Sequence, residues 1–179
     1  SSQTRELRSP LDDLDIYLSC VVVALRSFNS GPDLLKDHGQ RIKKALGDNF
    51  IGMCLQGSLA TGDFDLTSDV DFIVTTKEDL TDEQVKTVQK AHSETYGQNN
   101  RWVKRMEYSF FPEGMLKTPS SPYKDGHADI SEERKLWYFN HGSPTIEKSD
   151  HCNTLVTRWI MRERGKVVLG PDPKSLIDP

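Results

Sequence analysis

Two short apolar runs, joined by a polar segment that opens on a glycine and closes on two alternating aspartates, constrain this chain more than any other feature. The runs are Phe50 to Leu55 and Phe72 to Val74; the join is Gln56-Gly-Ser-Leu-Ala-Thr-Gly-Asp-Phe-Asp-Leu-Thr-Ser-Asp-Val-Asp71. Both runs are short, partly β-branched and bounded by turn residues, which predicts buried strands. Side chains alternate along a strand, so Asp69 and Asp71 share a face with Cα atoms roughly 6–7 Å apart. Two carboxylates held on one element repel unless a cation lies between them, and all-oxygen ligands of this kind suit Mg²⁺, which also binds phosphate oxygens. Gly57 lets backbone approach a ligand closely. Ser58 adds a hydroxyl at an expected helix start, where anions are favoured. The combination reads as a magnesium–triphosphate site.

Two other readings of the same residues compete. Asp63, Asp65, Thr67, Asp69 and Asp71 alternate as in an EF-hand loop, but that loop needs Gly at its sixth position and Glu at its twelfth, where this chain has Ser68 and Val74. A solvated acidic turn would explain a lone Asp-x-Asp. The upstream Gly-Ser and the abutting Phe-Ile-Val argue against it.

The rest of the chain supplies a scaffold. At 179 residues it reads as one core-forming unit, with 28% charged and 35% hydrophobic residues and a net charge of −4 that argues against broad nucleic-acid binding. No apolar run approaches the roughly 20 residues of a membrane span, and no signal peptide is visible. Three scattered cysteines, Cys20, Cys54 and Cys152, are expected as free thiols in a reducing, cytoplasmic compartment. Ser9-Pro10 and the leucines and valines to Leu25 predict a helix to about Ser27. Leu34, Leu35, Ile42 and Leu46 predict a second, closed by Gly47, with Arg41, Lys43 and Lys44 as a solvated last turn. Thr81-Asp-Glu-Gln opens a third helix with Val85, Val88 and Ala91 inward. Trp102 to Phe111 reads as a strand with Arg105, Glu107 and Ser109 on one face.

The segment from Pro112 to Arg134 reads as a long loop in which Lys117, Lys124 and Arg134 are solvated cations within reach of phosphate. Trp137, in Leu136-Trp-Tyr-Phe, is expected to pack in the core. Asp150 or Asn153 would cap a last helix through Leu155, Val156, Trp159 and Ile160. The five histidines show no zinc spacing, and the adjacent pair His151-Cys152 reads as poorly placed to share one metal. Gly142-Ser143 is followed by no Asp-x-Asp, and no nucleophile elbow or Walker lysine is present.

Gly57-Ser58, then Ser68-Asp-Val-Asp71 and a strand, resembles the nucleotidyltransferase superfamily that includes DNA polymerase β. The closer resemblance is to the streptomycin/spectinomycin-type aminoglycoside adenylyltransferases, carried by Leu55-Gln-Gly-Ser-Leu-Ala-Thr-Gly-Asp-Phe, Ser68-Asp-Val-Asp-Phe-Ile-Val and Val168-Leu-Gly-Pro-Asp-Pro-Lys-Ser-Leu-Ile-Asp-Pro. It covers roughly residues 33–179. It implies an α/β fold, a small mixed β-sheet flanked by helices, with an N-terminal helical segment at 1–32 and the nucleotidyltransferase domain at 33–179. Members of this branch usually continue into a helical domain, which this chain, stopping at Pro179, is expected to lack.

The implied reaction is Mg²⁺-dependent transfer of AMP from ATP to a hydroxyl of a small molecule, an aminoglycoside or another. Asp69 and Asp71 would hold the metal, and Gly57, Ser58 and Ser68 would contact phosphates. Glu107 matches the family's third carboxylate and would ligate metal or act as general base. Its alternative is an edge-strand carboxylate paired with Arg105 or Lys104, and Asp129 is the competing third carboxylate. Transfer to a protein or RNA, and a nucleotide-binding module without transfer, are the remaining readings.

Overall fold

The computed structural model describes residues 31–63, 67–98, 100, 102–117, 123–124, 127–128 and 132–177. The helix expected up to Ser27 lies outside them, as does Asp129. Helix α1 (Gly31–Leu46) runs through a short 3-10 turn into strand β1 (Phe50–Leu55). A five-residue helix α2 (Gly57–Thr61) follows, then β2 (Val70–Thr76) and α3 (Asp82–Tyr96). Next come β3 (Met106–Pro112), α4 (Glu113–Lys117), and the two-residue strands β4 (Tyr123–Lys124) and β5 (His127–Ala128), which pair with each other. The chain continues through β6 (Leu136–Phe139), β7 (Ile146–Ser149), α5 (Leu155–Arg164) and β8 (Lys166–Leu169).

Six strands form one sheet in the order β7-β6-β3-β2-β1-β8. The β2–β3 pair is parallel, with α3 as the crossover, and the other neighbours are antiparallel. The sheet is therefore mixed and flanked by helices, as the resemblance implied. Its period-2 alternation sorts the strands between two cores. Phe72, Val74, Met106, Tyr108 and Phe110 pack with Leu34, Ile42 and Leu46 of α1 and Val88 of α3. Ile73, Phe111, Leu136 and Tyr138 point the other way, onto Met161 of α5 and Ile177.

Helix α3 has a local cause. Thr81 closes a capping box on α3: its hydroxyl accepts from the Gln84 N–H, and the Gln84 side chain accepts from the Thr81 N–H. On the exposed side of α1, Arg41 pairs with Asp37 and with Glu94 of α3, each at 3.1 Å, so its cations are the solvated face expected.

Four expectations need correction. Trp102 to Arg105 is not strand: Val103–Arg105 is a 3-10 turn, with the Arg105 N–H donating to the Trp102 carbonyl, and β3 begins at Met106. The loop expected after Pro112 opens with α4, where Lys117 pairs with Glu113 at 2.6 Å. Arg134 is buried and donates to the Asn153 carbonyl, so it is no solvated cation.

The last helix is capped by Thr154, whose hydroxyl accepts from the Thr157 N–H. Asn153 instead holds the Arg134 carbonyl and the Arg158 guanidinium. The helix turns Arg158 and Met161 inward and leaves Leu155, Val156 and Trp159 more than half exposed. Arg158 wins the inner face because its guanidinium finds four hydrogen bonds there, to Met115, Asn153 and Thr154, and lies 5.1 Å from the Phe111 ring centre. Trp137 packs half-buried against the first core, with the Lys148 ammonium over its ring at 4.7 Å.

Candidate active site

The carboxylates gather where β2 and β3 begin. Parallel register sets Asp71 directly beside Glu107, on strands about 4.8 Å apart. Asp69 lies two residues before Asp71 on the approach to β2. Glu107 is on an interior strand, and neither Arg105 nor Lys104 pairs with it. Arg105, turned by the 3-10 segment, lies 3.6 Å from Asp69 and donates to the Thr67 carbonyl.

Gly57 closes the site from the other side. It has φ +67°, and a Cβ there would overlap the Asp71 carboxylate, with Cγ at 3.1 Å. A left-handed glycine is what allows the β1-to-α2 turn to lie against the acid. The Gln56 N–H donates to the Asp71 carbonyl at 2.9 Å, tying that turn to β2. Ser58 stands in the first turn of α2, half-buried, and Ser68 half-buried one residue before Asp69. The structure thus brings Gly57, Asp69, Asp71 and Glu107 together, with Ser58 and Ser68 on the flanking turns.

This cluster is electrostatically unfinished. Burial first, then the Glu107 and Asp69 charges, push the Asp71 carboxyl up from 3.8 to about 6, while His141 and His151 work the other way. A carboxyl pushed up by two like charges is what a bound cation would relieve. The residues present therefore fit a divalent ion with oxygen ligands.

Two histidines from distant loops complete the surroundings, and sequence reasoning missed both. His141 Nδ1 is 2.7 Å from an Asp69 carboxylate oxygen, close but not aligned as a hydrogen bond. The β6–β7 turn that carries it is held by α3. The Tyr96 hydroxyl donates to the Gly142 carbonyl, the His92 ring meets the Ser143 carbonyl, and the Gln89 amide grips Pro144 and Ile146. Gly142-Ser143, with no Asp-x-Asp after it, is thus a fixed turn.

His151 Nε2 is 3.3 Å from Glu107, and the buried thiol of Cys152 lies beside both. Burial and the Glu107 and Asp71 charges hold that thiol up at about 11, against the Ser109 hydroxyl next to it. Burial and Glu107 push the Tyr138 hydroxyl up as well. No sequence spacing signals these neighbours, because β6 and the turn between β7 and α5 meet Glu107 of β3 only in the folded sheet.

A mixed sheet thus carries a Gly-Ser turn and three carboxylates at the start of a parallel strand pair. Residues 40–137, more than half of the chain, match the family model described as nucleotidyltransferase domain, and the chain belongs to that family. Among solved structures, it is similar to that of spectinomycin adenyltransferase AAD(9) from Enterococcus faecialis with ATP and spectinomycin. The TM-score is 0.59 at 17% identity, over 82% of this chain and 59% of that one. The likeness is one of fold, and this chain spans well under two thirds of that protein's length. No curated protein sequence matches it. Among the described residues no helix is long and apolar enough to cross a membrane.

Proposed function

We propose that this protein transfers AMP from ATP to a hydroxyl of a small molecule, with Mg²⁺ as cofactor and an aminoglycoside-like polyamine alcohol as the acceptor class. The observation that carries the reading is the placement of Asp71 beside Glu107, with Asp69 adjoining and Gly57 closed against Asp71. Asp69 and Asp71, with Glu107 at their edge, would hold the metal, which when bound neutralises the triphosphate and the charge on attacking and leaving oxygens. The N-terminal turn of α2 and the Ser58 and Ser68 hydroxyls donate to phosphate oxygens. Glu107 accepts the proton of the acceptor hydroxyl, whose oxygen attacks the α-phosphorus as pyrophosphate leaves. An acidic site suits a polycationic acceptor and disfavours nucleic acid.

The test is calorimetry of ATP binding with and without Mg²⁺, on the wild type and on Asp69→Ala/Asp71→Ala. Magnesium-dependent binding that the double variant loses is the expected result. Magnesium-independent binding, or binding that survives the double substitution, would overturn the site. The acceptor is tested by incubating Mg·ATP with spectinomycin and streptomycin and looking for an adenylylated product by mass spectrometry. Glu107→Gln should weaken Mg·ATP binding far less than the Asp69/Asp71 double variant and lose about 10²-fold or more in transfer rate.

A further inference from the structure

Glu107, His151 and Cys152 each present one ligand atom, and the three atoms lie within 4.8 Å of one another. We propose that they form a second metal site, one for a borderline transition ion such as Zn²⁺ rather than Mg²⁺. Ligand chemistry makes the distinction: thiolate and imidazole favour Zn²⁺ and Co²⁺, whereas Mg²⁺ takes oxygen. Tetrahedral Zn²⁺ with bonds of about 2.0–2.3 Å sets its ligand atoms about 3.3–3.8 Å apart. The His151–Glu107 separation of 3.3 Å already meets that edge, and side-chain shifts of about an ångström close the rest.

The frame around the three residues is built. Glu107 lies on the interior strand β3. The turn carrying the other two is closed by the Asn153 N–H on the Asp150 carbonyl and anchored by Asn153 to both buried arginines. This turn splays the adjacent pair, with Cys152 inward at 6% exposure and His151 outward at 64%. That is how neighbours in sequence bring Sγ and Nε2 to one point. Access runs from the His151 side, and three protein ligands leave a fourth position for water. On binding, Sγ forms its bond to the metal as the thiol proton leaves to solvent, so one proton is released per ion.

The site shares Glu107 with the proposed transfer centre, and one consequence rests on that reading. An ion held there takes the general base, so Zn²⁺ inhibits transfer.

The experiment is titration of the full chain with Co²⁺, followed by the near-ultraviolet thiolate-to-cobalt band, and with Zn²⁺ by calorimetry in buffers of different ionisation enthalpy. The proposal expects the band and release of one proton in the wild type. Cys152→Ser should lose the band, and Zn²⁺ affinity should fall by more than about tenfold in both Cys152→Ser and the exposed His151→Ala. Asp69→Asn/Asp71→Asn should keep the band. A wild type without the band, a band that persists in Cys152→Ser, or undiminished affinity in His151→Ala would overturn the site. If Mg·ATP binding fails while the cobalt band stands, the transfer reading falls and this one survives. If the band stands and Zn²⁺ leaves transfer untouched, the claim that the ion takes Glu107 is the one overturned.

Discussion

Asp71→Asn should make this protein more stable at neutral pH while removing its function. The folded chain holds the Asp71 carboxyl at about 6 against an ordinary 3.8. Between those values the native state binds more protons than the unfolded state, so stability falls as pH rises through that window and the cost is complete above about pH 6. The full displacement corresponds to about 3 kcal/mol. Solvent reaches this half-buried carboxyl, and screening reduces the figure to about 1–2 kcal/mol. Asparagine keeps the shape and cannot ionise.

Urea unfolding of both proteins between pH 4 and 7.5, without divalent ions, is the assay. The variant's advantage should grow from a few tenths of a kcal/mol near pH 4 to about 1–2 at pH 7.5. Titrating groups remote from Asp71 affect both proteins alike and cancel in the difference, which therefore reports Asp71 together with the neighbours coupled to it, Asp69, Glu107, His141 and His151. Millimolar Mg²⁺ should stabilise the wild type and leave Asp71→Asn unchanged. A variant less stable than wild type at pH 7.5, or a difference that does not change with pH, would refute the reasoning and make Asp71 a satisfied structural acid.

Gly57→Ala should destabilise by about 1–2 kcal/mol from its positive φ and further from the overlap with Asp71, abolish Mg·ATP binding in calorimetry, and regain only the overlap part when Asp71 is cut to Gly; additive losses would contradict the close approach. His38 and His92 are buried neutral, held down at about 3 and about 4 chiefly by desolvation, with the Tyr108 hydroxyl between their rings at 3.1 and 2.9 Å. The unfolded chain therefore takes up the extra protons, and stability should fall as pH drops below 6.5, by up to about 1.4 kcal/mol per pH unit for each ring. A pH series of urea midpoints should show His92→Gln with the shallower acid limb, and an unchanged slope would count against it. Arg158→Ala should lower the urea-derived stability by about 3 kcal/mol, because it strips donors from the Met115 and Thr154 carbonyl oxygens and from the Asn153 side-chain oxygen; a loss below about 1 kcal/mol would mean that water replaces them.

What could be read from the chain was whatever depends on short spacing. The alternation that puts Asp69 and Asp71 on one side, the Gly-Ser turn, the Thr81 cap and the leucine spacing of α1 are local, since strand period and helix period act over a few residues. Glu107 could be placed on a strand of its own, but nothing in its neighbourhood fixes which residue it stands beside. The parallel register after the α3 crossover decides that, and it chose Asp71. The inner face of α5 is decided in the same way. Leu155, Val156 and Trp159 are apolar yet more than half exposed, because the Met115 carbonyl of α4 and the Asn153 side chain give Arg158 its partners inside. His141, His151 and Cys152 carry no spacing signal at all. They reach the carboxylates because β6, antiparallel to β3, ends beside the start of β3, while the turn after β7 comes back past Tyr138 to Glu107. Sequence therefore determined the acids and their local frame, and the tertiary structure decided their company, because side-chain periodicity is set within one element whereas proximity between elements is set by how they pair.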